Sequence, residues 1–570
     1  MAEKLVAVYI SEYKGVYLNN KVMWWDKLSK PQYGGEIVIS SPSNIENFDP
    51  YFSEHFTQIY TGWLERLLAE DWTLDPAVFD YKLISPHRYL KGHLAESWEF
   101  SEPGTLVFHL RQGIHWQDIP PVNGREFTAD DVAYHFHRLY GLGSGFTEPS
   151  PAQDKTIMYQ DLVSVIAIDK YTVAFKWKIA NPEFIMQFLI TNHSPVLAIE
   201  AREAVEKWGN VNDWRRAIGT GPFFLKEFVS GISATMVKNP NYWGCDERYP
   251  QNKLPYADQV RILILPDKNE TLEAFLAGKI DVIDGISMEQ AQQIKKTNPD
   301  ILQISHQTTG TITIDPRNDV APFSDIRVRK AMQMAVDLPG IAKNHYGGTV
   351  EPYPSTLSSK CVKVWGNGWE FAYESWPQNL KDEYAYNPAK ARQLLTDAGY
   401  PNGFKTNIAV DGGVDLKLLQ MVKSYFTEVG IDMEIRPMVA NQKHDQLAYS
   451  GGTLGLDVEP FRELPRLRTG YPLNTHLMIS DPVFDSFFPR AQAAASLDET
   501  KQIFREANEY VARQHFAISL LPKPKNYSFC QPWLKGYNAQ FGATSWSPPS
   551  LSFYASRFWI DQRLKKSMGH

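Results

Sequence analysis

Apolar and polar positions recur along this chain with two periods, and each period predicts a different element. The run 219–243 reads as a tight glycine turn, a strand, a turn at Ser230-Gly231, a second strand and a stop at Asn239-Pro240-Asn241, which together make a hairpin. Residues 94–100 and 105–111 flank Pro103-Gly104 and predict a second hairpin. A strand is expected at 36–40, after Gly34-Gly35.

Helical spacing appears elsewhere. Between 324 and 337, Val328, Ala331, Met332 and Ala335 are apolar at helical spacing, with Ser324 or Asp325 as the cap. Asn387, Pro388 and Gly399 supply an N-cap, a first-turn proline and a C-terminal stop for one helix. Thr128 and Asp131 make a variant capping box for a helix running to about Tyr140, followed by a mobile loop at 141–145. A helix is expected over 269–277, closed by Gly278, with a strand at 280–283. After the turn at 47–50, a helix-like stretch reaches Leu68. Strand 406–410, helix 416–428 and strand 431–436 form a βαβ unit, which implies a parallel pair and an α/β chain.

The length of 570 residues corresponds to about three or four domains. Net charge is −7, which disfavours nucleic-acid binding because no basic excess exists to meet phosphates. No run of about 18 apolar residues occurs. Met1–Lys4 lack a basic segment followed by an apolar one, as expected of a cytoplasmic chain or of a mature form without its leader. Cys245, Cys361 and Cys530 are odd in number, so they cannot all pair internally. Phosphate-loop and zinc-protease motifs are absent, and Leu142 breaks the nucleophile-elbow pattern in 141–145. His135 and His137 stand two apart on a predicted helix and face different ways, which excludes a shared metal.

Five segments in order carry a family resemblance. They are Leu94-Ala95, Ser97-Trp98, Arg111, Gly113, Trp116 and 127–132; then 219–243; then 274–281; then 323–337; and finally 386–400. Together they resemble the solute-binding proteins of ABC importers in the peptide/nickel-binding group, extracellular solute-binding family 5. The resemblance implies an α/β fold with two lobes, the periplasmic-binding-protein fold of class II type, cluster C, with an extra domain inserted in lobe I. It maps an N-terminal extension to 1–32, lobe I to 33–63, 206–305 and 535–565, the inserted domain to 64–205 and lobe II to 306–534. It further implies a monomer without cofactor, metal or catalysis. Such a protein captures a small-molecule or peptide ligand by hinge closure between its lobes and hands it to the permease transmembrane subunits. The implied location is periplasmic or extracellular, associated with the cell surface, with no signal peptide in this chain.

The same resemblance places the ligand residues. Glu54, His55 and Phe56 match the backbone-contacting strand of lobe I, and Gln307, Thr308 and Thr309 lie on the hinge side. The family's peptide binders carry an Asp in lobe II that pairs with the peptide amine. Here the matching stretch is 452–460, giving Gly452, Thr453, Leu454 and Asp457 as candidates. Thr453 stands at the family's Trp position and Leu456 at the Asp position, with Asp457 one residue further on. An amine taken out of water needs a carboxylate. The departure therefore opens a second reading, an oligosaccharide or other uncharged organic solute, which a surplus of aromatic rings also suits. A third reading is a hydrolase or regulator on the same scaffold, since fold alone does not fix function. Each candidate has a bland counterpart: Asp457 as a solvated loop acid, Phe56 as core, and Trp365, Trp369 and Trp376 as packing rather than a ligand wall.

Overall fold

The computed structural model describes residues 24–27, 29–52, 59–75, 89–151, 161–190, 197–306, 311–354, 368–410, 414–437, 446–450, 464–465, 467–471, 477–522, 524–538 and 551–570. The chain divides into two compact units, residues 1–306 with 525–570 and residues 307–524.

In the first unit, the strand Glu36–Ser41 runs parallel to Gln259–Ile264. That strand pairs antiparallel with Ser233–Lys238, which closes the predicted hairpin with Phe223–Val229. A second sheet, wholly antiparallel, orders Ala95–Glu102, Thr105–Leu110, Thr172–Trp177 and Leu162–Asp169. The helix Ala129–Tyr140 packs Val132, Phe136 and Leu139 with Phe108, Val165 and Phe175 of that sheet in one apolar core. Its capping box forms as expected, the Thr128 N–H donating to Asp131 Oδ2 at 3.0 Å, and Gly141 ends it at φ 66°.

A third sheet sets Asn526–Cys530 between Val282–Ile286 and Leu302–His306. Among the described residues, the strand Asn526–Cys530 pairs with these two strands of the first unit.

The second unit is built on a five-stranded sheet in the order Ile431–Pro437, Phe404–Val410, Leu447–Ser450, Thr311–Pro316 and Ile518–Pro522. The helix Leu416–Glu428 joins the parallel strands Phe404–Val410 and Ile431–Pro437, which is the predicted βαβ unit. The helices Ile326–Ala335 and Pro388–Asp397 carry the predicted caps: Asp325 accepts from Arg327 N–H, and Asn387 Oδ1 from Lys390 N–H at 3.0 Å. Gly399 follows at φ 95°.

One local expectation fails. No α-helix occupies the described part of 47–68; short turns at Pro50–Phe52 and Ile59–Gly62 lead to the strand Leu68–Glu70. The cause is tertiary, because the Trp63 carbonyl that a helix would use accepts the Gly221 N–H at 2.9 Å. Within the loop at 141–145, Gly143 and Phe146 exchange backbone hydrogen bonds, and His137 Nδ1 lies 2.9 Å from Ser144 Oγ.

Candidate functional site

Glu54, His55, Phe56, Gln307, Thr308, Gly452, Thr453, Leu454 and Asp457 all lie outside the described residues. Trp365 and Cys361 do as well. Described residues near several of these segments are anchored, in part by the 219–243 motif.

Residues 54–56 follow Asp49-Pro50 and precede the turn Ile59–Gly62. Asp49 is fully buried, so its charge needs partners. The Arg138 guanidinium grips it as a fork, with both nitrogen–oxygen distances at 2.8 Å. The Tyr51 and Val211 N–H groups donate to the same carboxylate at 2.9 Å each. Arg138 also stacks 4.6 Å over the Tyr51 ring and donates to Glu200 Oε1 at 3.1 Å. His135 Nδ1 contacts the other Glu200 oxygen. Burial alone would raise the Glu200 carboxyl; His135 and Arg138 outweigh it and hold Glu200 at about 2. The helix Ala129–Tyr140 thus sends a cation into the turn that leads to residue 54.

On the far side, residues 219–243 explain themselves. A Cβ on Gly219 would stand 1.8 Å from the Trp63 carbonyl oxygen, and one on Gly221 would stand 2.6 Å from it. Only glycine permits this approach. Gln117 clamps the turn: its backbone N–H donates to the Gly219 carbonyl, its Oε1 accepts from Gly219 N–H, and its Nε2 donates to the Phe223 carbonyl at 2.7 Å.

The Asn-Pro-Asn-Tyr-Trp end then converges on one buried acid. Tyr242 Oη donates to Glu65 Oε1 at 2.7 Å and Trp243 Nε1 to Glu65 Oε2 at 3.0 Å, while His93 Nε2 lies 2.7 Å from Oε1. Burial would raise the Glu65 carboxyl; the His93, Trp243 and Tyr242 contacts prevail and lower it. Sequence reading missed Glu65. The available signal was a lone acid inside the apolar run 63–68, where a charge implies a buried partner.

In the second unit the topology gathers chain ends. Phe404–Val410, Ile431–Pro437 and Leu447–Ser450 are parallel, so their carboxyl ends share one edge of the sheet. Thr313 faces Ser450, and Thr311 faces Pro522. The amino end of Thr311–Pro316 and the carboxyl end of Ile518–Pro522 therefore stand at that edge too. Gln307 and Thr308 precede Thr311 by four and three positions, and 452–457 follow Ser450 in the chain. In open α/β sheets this carboxyl edge is where ligands are held.

Other candidate chemistry resolves into packing. Trp369 is buried against Phe504, and Trp376 stacks on Phe371 while its Nε1 donates to the Phe371 carbonyl. His137 turns away from His135 to the Val165 carbonyl at 2.7 Å. Cys530 is a buried free thiol pushed up to about 12 by burial and the Asp281 charge, so it stays protonated. Among the described residues no cluster of ligating side chains could hold a metal, and no helix is long and apolar enough to cross a membrane.

Comparison with known proteins places this architecture. Residues 90–458, more than half of the chain, match the family described as bacterial extracellular solute-binding proteins, family 5 Middle. A glutathione-binding protein, GsiB of Escherichia coli O1:K1, is 26% identical over 419 residues, covering 73% of this chain and 72% of the relative. Heme-binding protein A of Haemophilus influenzae is 28% identical over 327 residues, covering 55% and 54%.

Among solved structures, the periplasmic binding protein DppA of Helicobacter pylori in complex with the peptide STSA superposes with a TM-score of 0.69 at 21% identity, over 93% of this chain and 99% of that one. A dipeptide-binding protein of Pseudoalteromonas sp. SM9913 in complex with Met-Leu gives 0.70 at 18%, over 92% and 100%. These structures share the fold, and with the match over residues 90–458 the chain belongs to the bacterial extracellular solute-binding proteins of family 5.

Proposed function

We propose that this protein is the extracytoplasmic ligand-capturing subunit of an ABC importer, with an oligopeptide or peptide-like molecule as cargo. The observation that carries the reading is family membership joined to the second unit's sheet edge, where Ser450 and Thr311 lead into the candidate residues. Solved relatives of the same fold hold a tetrapeptide and a dipeptide, which supports peptide cargo. In this reading Asp457 pairs with the ligand amine, Glu54, His55 and Phe56 meet its backbone from the first unit, and Gly452, Thr453, Leu454, Gln307 and Thr308 complete the lining. Residues 64–205 form an inserted domain with its own sheet. The protein works as a monomer beside its permease, and it binds without catalysis.

A second reading rests on Leu456, an apolar residue where the peptide-binding pattern has its acid. It gives the same machine an oligosaccharide or other uncharged solute. Calorimetric titration with a di- and tetrapeptide panel and an oligosaccharide panel separates the two. Peptide binding that Asp457→Asn weakens about tenfold or more supports the first reading. Sugar binding indifferent to that substitution supports the second, and no binding from either panel defeats both. Recovery of hydrolysed ligand would point to an enzyme instead.

A further inference from the structure

The first unit encloses a cavity of about 240 Å³ beside the strands Leu68–Glu70, Leu90–Gly92 and Ala95–Glu102. Trp72 and Phe553 form an aromatic wall, their ring centroids 6.4 Å apart and edge to face.

Five charged side chains also line the cavity, and three of them are matched in place. Lys91 Nζ is 2.9 Å from Asp71, Glu247 is held by Arg557, and Glu70 lies 3.9 Å from Arg66. Arg111 and Glu96 are not matched among the described residues. Arg111 donates through Nε to the His93 carbonyl at 2.8 Å and through Nη2 to the Gly92 carbonyl at 3.4 Å, and it lies 5.9 Å over the Trp243 ring. Carbonyls and a ring orient the guanidinium but leave its charge unneutralised, and further N–H donors remain. Glu96 makes neither a hydrogen bond nor an ion pair among the described residues. It is the extra residue of a β-bulge, since Ala95 faces Leu110 and Ser97 faces His109. A bulge re-aims the side chain it carries.

We propose that this cavity binds a small zwitterion the size of a free α-amino acid, with its carboxylate on Arg111 and its ammonium on Glu96. The charges set the class, an anion acceptor and a cation acceptor on one pocket, and about 240 Å³ is room enough for one free amino acid. The wall of Trp72 and Phe553 takes an apolar side chain. The proposal stands whether or not the cargo is a peptide.

The test titrates the full chain with L-leucine, by calorimetry and by NMR of the 13C-labelled amino acid. Saturable binding of one leucine per chain is expected. L-leucinamide, which lacks the carboxylate, and 4-methylpentanoate, which lacks the ammonium, should each bind about tenfold more weakly or worse. Arg111 also holds two carbonyls in place, so the decisive variant is Glu96→Gln, which disturbs no described contact. It should weaken leucine about tenfold while leaving the melting temperature unchanged. A saturating tetrapeptide should not displace leucine. The proposal is overturned by an absence of saturable binding up to about 10 mM. Unchanged affinity in Glu96→Gln, or competitive displacement by the tetrapeptide, overturns it as well. If the tetrapeptide itself fails to bind, the cargo reading falls and the Glu96→Gln comparison still decides this one.

Discussion

Gly219 and Gly231 belong to the same hairpin motif but are glycine for different reasons. Gly231 has φ 72° with nothing within 4 Å of the place a Cβ would take, so only the backbone conformation asks for glycine. Gly219 faces the Trp63 backbone, and a Cβ there would sit 1.8 Å from the carbonyl oxygen. Gly231→Ala should therefore cost about 1–2 kcal/mol, the left-handed penalty. Gly219→Ala should cost about 3 kcal/mol or more, because backbone cannot step aside as a side chain can. Chemical denaturation of the two variants measures the difference, and equal costs would mean the close approach is not structural.

Glu200 gives a second residue-scale outcome. Its folded value of about 2 lies below the ordinary carboxyl value of 4.5. A depressed carboxyl contributes stability that is fully present above the unfolded value and is lost as pH falls through the folded one. Stability should thus fall between about pH 4.5 and pH 2, with Glu200 accounting for about 3 kcal/mol of the loss. Glu200→Gln should flatten that limb in acid titrations followed by circular dichroism. An unchanged limb would assign the loss to other acids.

At the scale of elements, the helices and hairpins with local signals were legible in the sequence. Asn387, Pro388 and Gly399 bracket the helix Pro388–Asp397 where the capping chemistry puts it. Asn387→Ala should cost about 1 kcal/mol by freeing the Lys390 N–H, measurable as a shift in the urea midpoint. The false helix between 47 and 68 shows what local signals cannot carry. Its carbonyl partner is Gly221, more than 150 positions away, and no periodicity registers that.

Arg329 is another such case. The family-like motif gave its position but not its work: it is buried and donates to the Phe323, Gln514 and His515 carbonyls, tying the helix Ile326–Ala335 to the end of Leu497–Gln514. Burial pushes its guanidinium down to about 10. Arg329→Lys should cost about 2 kcal/mol, since an ammonium cannot reach three carbonyls in a planar fork. The candidate cargo residues came from resemblance alone. The described structure contributes their anchors, the Asp49–Arg138 fork, the Glu65 node and the Ser450–Thr313 edge, none of which shows in local spacing.

At the scale of the molecule, each unit ends in its own paired strands: His306 pairs with Asn526 in the first, and Thr311 with Pro522 in the second. A protein built to bind and release must gain free energy from its ligand only while the ligand stays bound. Mass action sets the scale: a peptide at a hundred times its dissociation constant stabilises the folded chain by about 2.7 kcal/mol, and a further tenfold adds about 1.4 kcal/mol. The melting temperature should therefore climb steadily with the logarithm of peptide concentration. It should hold its value through hours of incubation before the scan, because a carrier returns its cargo intact. A hydrolase would give a shift that decays as the peptide is consumed, and a protein with no peptide site would give none. Repeating the series with Asp457→Asn tests the assignment of the amine partner: the ligand-free midpoint should stay in place while the peptide-dependent rise moves to concentrations about tenfold higher or more. A variant whose ligand-free midpoint falls instead would make Asp457 a structural acid and return the amine-binding role to another residue.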